Sequence, residues 1–352
     1  MNRSINVTFR VDASLEVGNG HVMRCLALAR ALADRGASCK FVCAALHGNL
    51  VDLINSNGFE SDLLAHTEKF DWRADSSGTV AAIGDDSPDW LIVDHYRVDQ
   101  RWEAGVQPFC ARIMVIDDLA DRIHACDMLL DQNLGRTADD YHGLVAAETR
   151  LLTGPGFALL RPEFSRLREF SLARRQEPRL RNILISMGGT DSTNATSRLL
   201  GALENWNGSR ECRVVVVLGP NSPWGKAVRT QAANVQYDCL VFQDPPDYAT
   251  LLAECDLCIG TAGISSWERC CLGVPSIVAS VADNQIRLAN QLVSAGAALG
   301  RLDLENLEET FGQMMDSATL ADRLSHASRV AATLCSGHGS ELVANGLLEP
   351  CK

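Results

Sequence analysis

Short apolar runs alternate with amphipathic stretches along the whole chain. In the first half the runs lie at residues 5–9, 40–44, 91–93, 113–116 and 128–130, and helical periodicity falls between them at 22–34, 48–57 and 101–110. The second half repeats the scheme, with runs at 183–186, 214–218, 235–242, 257–259 and 276–278. Its helical stretches are 193–203, 248–253, 265–272, 285–295 and 305–318, followed by a last short helix at 341–348. Unbroken Val/Ile/Leu runs mark strands covered on both faces, as in parallel sheets. Alternation with helices implies βαβ units. The expected fold class is α/β, with two Rossmann-like, doubly wound parallel sheets facing a cleft and ligand held at their carboxyl edges.

Residues 155–181 interrupt the pattern with Pro155, Pro162, Pro178 and many arginines. The expected division is a first domain over 1–160, a connector over 161–180 and a second domain over 181–352, whose last helix could pack back on the first.

Composition narrows the function. A chain of 352 residues, 46% hydrophobic and 22% charged, suits two domains with sizeable cores. A net charge of -12 argues against nucleic acid, which needs clustered cations to neutralise phosphate. The basic stretch Arg161, Arg166, Arg168, Arg174, Arg175, Arg179, Arg181 reads as a solvated connector face. No apolar run reaches the roughly 18 residues a membrane span needs, and residues 1–6 lack a signal pattern, so a cytoplasmic protein is expected. Thirteen cysteines in no repeating framework read as reduced core thiols. Cys255, Cys258, Cys270 and Cys271 approach a zinc spacing. However, Cys258 lies in an apolar run and Cys270 and Cys271 are neighbours on a helical stretch, where side chains diverge by about 100°. Core packing is the expected role.

The candidate chemistry sits just after the strand runs. Gly18-Asn19-Gly20-His21 reads as a glycine loop opening a helix, with the imidazole on the first turn. The positive end of a helix disfavours imidazolium, so His21 is a candidate general base; capping of the helix is the plain alternative. Arg10 and Asp12 follow the first run, and Asp94-His95-Tyr96 follows the third. Asp94 reads as a strand-end acceptor, while Tyr96 could reach a sugar. Asp117-Asp118 could hold a divalent ion, although no third ligand is evident.

In the second half, Met187-Gly188-Gly189-Thr190-Asp191 follows the first strand run, and Asp191 is a possible helix cap. The stretch from Gly260 through Gly263, Ile264 and Ser265 to Ser266 exposes backbone amides at a helix start and is the expected pyrophosphate site. Glu268, on the same helix, suits the paired hydroxyls of a ribose or compensates the helix dipole. Asp283-Asn284-Gln285 opens another helix. A G-x-S-x-G elbow, a Walker A lysine and a full dinucleotide fingerprint are all missing.

Taken together, Phe9-Arg10-Val11-Asp12-Ala13-Ser14, Gly18 to Ala29, Ser186 to Asp191, Gly263 to Pro275 and Asp283-Asn284-Gln285 resemble the UDP-sugar hydrolases of the pseudaminic acid pathway. The match spans residues 5–345. That family is similar in architecture to B-type (GT-B) glycosyltransferases, above all to the lipid II-forming N-acetylglucosaminyltransferase. The resemblance implies release of UDP from UDP-2,4-diacetamido-2,4,6-trideoxy-β-L-altropyranose, with His21 as catalytic residue, Tyr96 and Asn284 on the sugar side and Glu268 on the nucleotide side. It implies no metal or cofactor, and a monomer. With Arg10, Asp12, Gly18, Gly20, Gly188, Gly189, Gly263, Ile264, Ser265 and Gln285, and Phe242 beside the uracil, these residues form the expected site. A GT-B glycosyltransferase using a UDP-sugar donor, and a hydrolase of another UDP-diacetamido sugar, are the alternatives.

Overall fold

The computed structural model describes residues 5–14, 18–65, 69–85, 87–177, 179–220, 222–316 and 318–349, with the side chains of Asp283 and Asn284 outside that set. The chain divides into two units, 1–161 with 338–352 and 162–337.

In the first unit the elements run β1 (Asn6–Val11), α1 (Gly20–Ala33), β2 (Ser38–Ala44), α2 (Val51–Ser56), β3 (Glu60–Leu64), α3 (Trp72–Ile83), β4 (Trp90–Asp94), α4 (Gln100–Val106), β5 (Ile113–Ile116), β6 (Met128–Asp131) and β7 (Arg150–Thr153). The strands form one sheet in the order β3-β2-β1-β4-β5-β6-β7, parallel throughout. Successive side chains on a strand point to opposite faces, so the apolar runs feed two cores. Trp90 and Ile92 of β4, Met114 and Ile116 of β5 and Met128 and Leu130 of β6 join α1 on one face. Leu91, Val93, Ile113, Val115 and Leu129 join Trp102 and Val106 of α4 on the other. The same alternation puts Arg10 on the face opposite Phe9, where it is fully buried.

The second unit runs α5 (Pro162–Arg174), β8 (Asn182–Ser186), α6 (Ala195–Asn205), β9 (Arg213–Leu218), α7 (Gly225–Ala232), β10 (Asp238–Gln243), α8 (Tyr248–Glu254), β11 (Leu257–Thr261), α9 (Ser265–Cys271), β12 (Ser276–Ala279), α10 (Asp283–Ser294), β13 (Ala298–Leu302), α11 (Leu307–Met315) and α12 (Leu320–Leu334). Its strands pair in parallel in the order β10-β9-β8-β11-β12-β13. The chain then returns to the first unit as α13 (Gly339–Leu348). Val343, Ala344 and Leu347 of α13 share a core with Leu28 and Leu32 of α1. Trp90 Nε1 donates to the Leu347 carbonyl (2.9 Å).

The arginine-rich stretch differs from the connector read from its composition. Residues 162–174 are a helix of the second unit, anchored by buried Phe164 and Ser171. Arg168 and Arg175 are bonded to neighbouring elements, while Arg166, Arg179 and Arg181 are exposed. Arg168 donates to the carbonyls of Ala332 (2.7 Å), Cys335 (3.0 Å) and Cys271, and Arg175 donates to the Cys255 carbonyl (2.8 Å). Arginine combines a long apolar stem with five donors, so it can line a packed surface while satisfying the carbonyls at the ends of neighbouring elements. Cys255, Cys258, Cys270 and Cys271 are buried in the core. No helix among the described residues is long and apolar enough to cross a membrane.

Candidate functional site

In doubly wound sheets ligands bind beyond the carboxyl ends of the two strands where the strand order reverses. In the first unit those strands are β1 and β4. The loop after β1 delivers His21 on the first turn of α1, and β4 ends on Asp94. The two side chains meet, His21 Nδ1 lying 2.6 Å from Asp94 Oδ1. Gly18, at φ +82°, closes that loop by donating its amide to the Ser14 carbonyl (2.8 Å), and Gly20 is the first residue of α1.

Arg24, one helical turn after His21, organises the cluster. Its Nε donates to Asp94 Oδ2 (2.6 Å) and its Nη2 to Asp94 Oδ1 (2.6 Å). The opposite edge of the guanidinium reaches Asp118, Nη1 to Oδ1 (3.0 Å) and Nη2 to Oδ2 (2.9 Å). Asp118 Oδ1 also accepts from Asn133 Nδ2 (3.2 Å), and Asp118 Oδ2 from the Tyr96 hydroxyl (3.5 Å). The Tyr96 ring meets His21 edge-on, with centroids 4.6 Å apart. Burial alone would raise the Asp94 pKa. The Arg24 and His21 charges and hydrogen bonds outweigh it and hold the carboxyl well below the usual carboxylate range.

An ionised Asp94 2.6 Å away requires the proton on Nδ1, because two acceptors would repel. That leaves the Nε2 lone pair available, and Nε2 has no hydrogen-bond partner among the described residues. The ring is largely enclosed, with 8% of its side chain exposed.

Arg10 and Asp12, expected to touch substrate, are consumed internally. Arg10 is bonded to Asp12 (Nη1 to Oδ1, 2.6 Å) and to Asp75 of α3 (Nε to Oδ1, 3.0 Å). Asp12 Oδ1 also accepts the Ala44 amide (2.7 Å), and Asp12 Oδ2 lies 3.3 Å from His95 Nε2. Burial of Asp12 works against ionisation, but Arg10 and then His95 prevail and hold it well below the usual range. This network ties the exits of β1, β2 and β4 together, a scaffold role adjoining His21. Asp117 and Asp118 likewise have protein partners. The Tyr141 hydroxyl donates to Asp117 Oδ2 (3.0 Å), and Arg122 Nη1 lies 2.9 Å from Asp117 Oδ1. Among the described residues no group of three or more His, Cys, Asp or Glu is placed to hold a metal.

Asp12 and Asp94 predict an acid sensitivity. Their folded-state pKa values lie below the unfolded value of about 4, so the unfolded chain binds more protons as pH drops. The stability they contribute is present above about pH 4 and is lost as pH falls further. The contribution of these two carboxylates to the melting temperature is expected to be flat between about pH 5 and 7 and to drop steeply below about pH 4. The Asp12→Asn variant should show a shallower acid slope, and an unchanged slope would remove Asp12 from the account.

In the second unit the strand order reverses between β8 and β11. The loop after β8 carries Gly188 at φ +84°, and a Cβ there would sit 3.6 Å from Thr261 Oγ1 at the end of β11. A Cβ on Gly219, just after β9, would lie 2.2 Å from the Gly189 carbonyl oxygen, so these loops approach as only glycine permits. Arg269 is buried and pins the β11–α9 turn, donating through Nη2 to the Thr261 carbonyl (2.9 Å) and Ser266 Oγ (2.9 Å), and through Nη1 to Ser265 Oγ (3.2 Å). Gly263 and Ile264 lead into α9, and Glu268 is half-buried on its first turn.

The other candidates are scattered. Asp191 caps α6, its carboxylate accepting the Ala195 (2.9 Å) and Thr196 (3.0 Å) amides. Gln285 Oε1 accepts the Val281 amide (3.0 Å), which closes the entry to α10. Phe242 is 39% exposed on the edge strand β10. Asn284 lies on the first turn of α10, and its side chain falls outside the described residues.

Arg24, Asn133 and the pairing of Asp94 with His21 lie outside the site expected from the sequence. The signal for Arg24 was its spacing, since residues three apart on a helix share a face.

No family model matches the chain. It is 30% identical over 205 residues to the UDP-2,4-diacetamido-2,4,6-trideoxy-beta-L-altropyranose hydrolase of Campylobacter jejuni, covering 56% of this chain and 66% of that protein. It is 31% identical over 156 residues to the spore coat polysaccharide biosynthesis protein SpsG of Bacillus subtilis, covering 44% of each. The chain thus spans 44% to 66% of the length of the curated relatives it matches. Among solved structures, Acinetobacter baumannii MurG superposes with a TM-score of 0.71 at 15% identity, covering 97% of this chain and 99% of that one. A UDP-GlcNAc 2-epimerase of Neisseria meningitidis, bound to UDP-GlcNAc, gives 0.62 at 13%, covering 99% and 100%. The family resemblance carried by the motifs holds: the chain is a homologue of the Campylobacter hydrolase and has the GT-B fold.

Proposed function

We propose that this GT-B-fold homologue of a nucleotide-sugar hydrolase cleaves UDP from a UDP-linked diacetamido-trideoxy sugar, with UDP-2,4-diacetamido-2,4,6-trideoxy-β-L-altropyranose as the substrate favoured by the Campylobacter relative. The single observation that carries the reading is the His21–Asp94 pair at the strand-order reversal of the first unit. Asp94 holds the Nδ1 proton, and His21 Nε2 takes a proton from water as the water oxygen attacks the anomeric carbon. The bond from that carbon to the phosphate oxygen breaks, and UDP leaves with the electron pair. A single displacement by water inverts the anomeric centre. UDP is a good leaving group, so no strong acid is required on its side.

In this reading Tyr96 and Asn284 flank the sugar, and the uracil lies beside Phe242. The amides of Gly263, Ile264 and Ser265 receive the pyrophosphate. The first amides of a helix have no carbonyl four residues earlier inside the helix to bond to, and negative charge is favoured there. Glu268 binds the ribose hydroxyls. The protein acts as a cytoplasmic monomer.

The test is UDP release from the UDP-sugar with no acceptor added, in water enriched in heavy oxygen. Hydrolysis at carbon gives steady release, with the label in the free sugar. Label in UDP would mean attack at phosphorus. Release that depends on an added acceptor would establish the transferase alternative.

A further inference from the structure

We propose that Arg24 is the positioning residue of the site, one guanidinium that sets both the tautomer of His21 and the seat of Tyr96. Arg24 is only 1% exposed and sits on α1 one turn beyond His21. Its donors form two forks. The inner fork takes both oxygens of Asp94, the residue that faces His21 Nδ1. The outer fork takes both oxygens of Asp118, the residue that receives the Tyr96 hydroxyl. Forked guanidinium–carboxylate contacts fix direction as well as distance. Asp94 therefore cannot turn away from the imidazole without breaking two charged bonds. Arg24 Nη2 also lies 3.1 Å from His21 Nδ1. Its hydrogens point to the Asp94 and Asp118 oxygens, so this contact is between two donors and is tolerated because the shared carboxylate lies between them.

The charge count gives the arrangement a chemical meaning. Two carboxylates and one guanidinium leave the largely enclosed cluster formally at minus one while His21 is neutral. A proton taken by Nε2 brings the cluster to zero. The cluster is thus completed by the protonated ring that abstraction from water would create, and that state needs no rearrangement of the surrounding dipoles. Cys25, whose thiol lies 3.6 Å from Asp94 Oδ2, adds no charge because burial pushes its pKa far up. Arg24 is the member that holds the count together. Without it, the buried Asp94 and the partly exposed Asp118 would lose the cation they share, a costly arrangement that would reorganise.

This inference rests on His21 being the base, and its test is chosen to read Arg24 even if the hydrolase reading fails. Nitrogen-15 spectra of the imidazole in the substrate-free protein report the tautomer directly. In the unaltered protein His21 is expected in the Nδ1-protonated form. Arg24→Lys keeps the cation but offers a point charge in place of two forks. It should turn His21 into a tautomer mixture and lower kcat by about 10- to 100-fold, the range associated with a displaced catalytic group. Asp118→Asn, which spares the inner fork, should leave the tautomer intact and raise KM through Tyr96. A wild-type His21 spectrum in a folded Arg24→Lys protein would overturn the proposal. If Arg24→Lys does not fold, a wild-type KM in Asp118→Asn does the same. A lost tautomer in Arg24→Lys, in a protein that releases no UDP from any UDP-sugar, would uphold the positioning role and overturn only the hydrolase reading.

Discussion

Replacing His21 with alanine is expected to lower the rate of UDP release by about 10²–10⁴-fold, the usual contribution of a positioned base. Affinity for UDP should stay the same, because the residues proposed to hold the nucleotide belong to the second unit. Asp94→Asn should fall in a similar range. An amide can present its NH2 group to Nδ1, which favours the tautomer protonated on Nε2, and loss of the working tautomer behind a catalytic histidine costs up to about 10⁴-fold. The two changes remove one device. The double variant should therefore be close to the worse single variant, since residues that act as a unit are strongly non-additive. Initial rates of UDP release and calorimetric titration with UDP measure these quantities. Turnover near wild type in His21→Ala would end the mechanism, and multiplicative losses would mean that Asp94 acts elsewhere.

The second large effect is on stability. Arg10→Leu should destabilise the first unit by about 3–5 kcal/mol, because removing one partner of a buried ion cluster strands the others. The stranded groups here are Asp12 and Asp75, held by Arg10 at 2.6 and 3.0 Å, with Trp102 Nε1 also donating to Asp75 (2.9 Å). For a unit of this size that loss corresponds to a melting temperature lower by roughly 10 °C or more. Adding Asp12→Asn and Asp75→Asn should recover much of it, since the penalty lies in the uncompensated charge rather than in the missing pair. A melting curve unchanged in Arg10→Leu would place these carboxylates in contact with solvent cations instead.

Central strands were legible because they are covered twice. Residues 113–116 and 128–130 needed no context, since every position is apolar. The edge strands β3 and β13 were not. Glu60–Leu64 reads ESDLL and Ala298–Leu302 reads ALGRL, and each is partly exposed, so neither shows an unbroken run. α12 buries Leu324, Ala327, Ser328 and Ala331, a helical spacing built of small residues that leaves a faint hydrophobic signal. α3, with Ser76 and Thr79 on its buried face, was hidden for the same reason.

At the site, His21 stood out by its glycine loop. The partners of Asp94 and Asp12 did not, because a carboxylate at a strand end looks alike in sequence whether it serves a histidine or a buried arginine. Their difference is which face of which strand they share, and that is settled only when β1 and β4 pair. Arg168 departs from the solvated face because charge in sequence suggests water, whereas backbone carbonyls at the ends of neighbouring elements attract the same group.

The return of α13 to the first unit has a consequence for biogenesis. Val343, Ala344 and Leu347, which seal α1, are synthesised after all of residues 162–337. During translation the later-encoded unit is therefore complete before the earlier one, whose apolar α1 surface waits uncovered on the ribosome. A nascent chain halted before α13 emerges should carry a protease-resistant second unit and a cleavable first one.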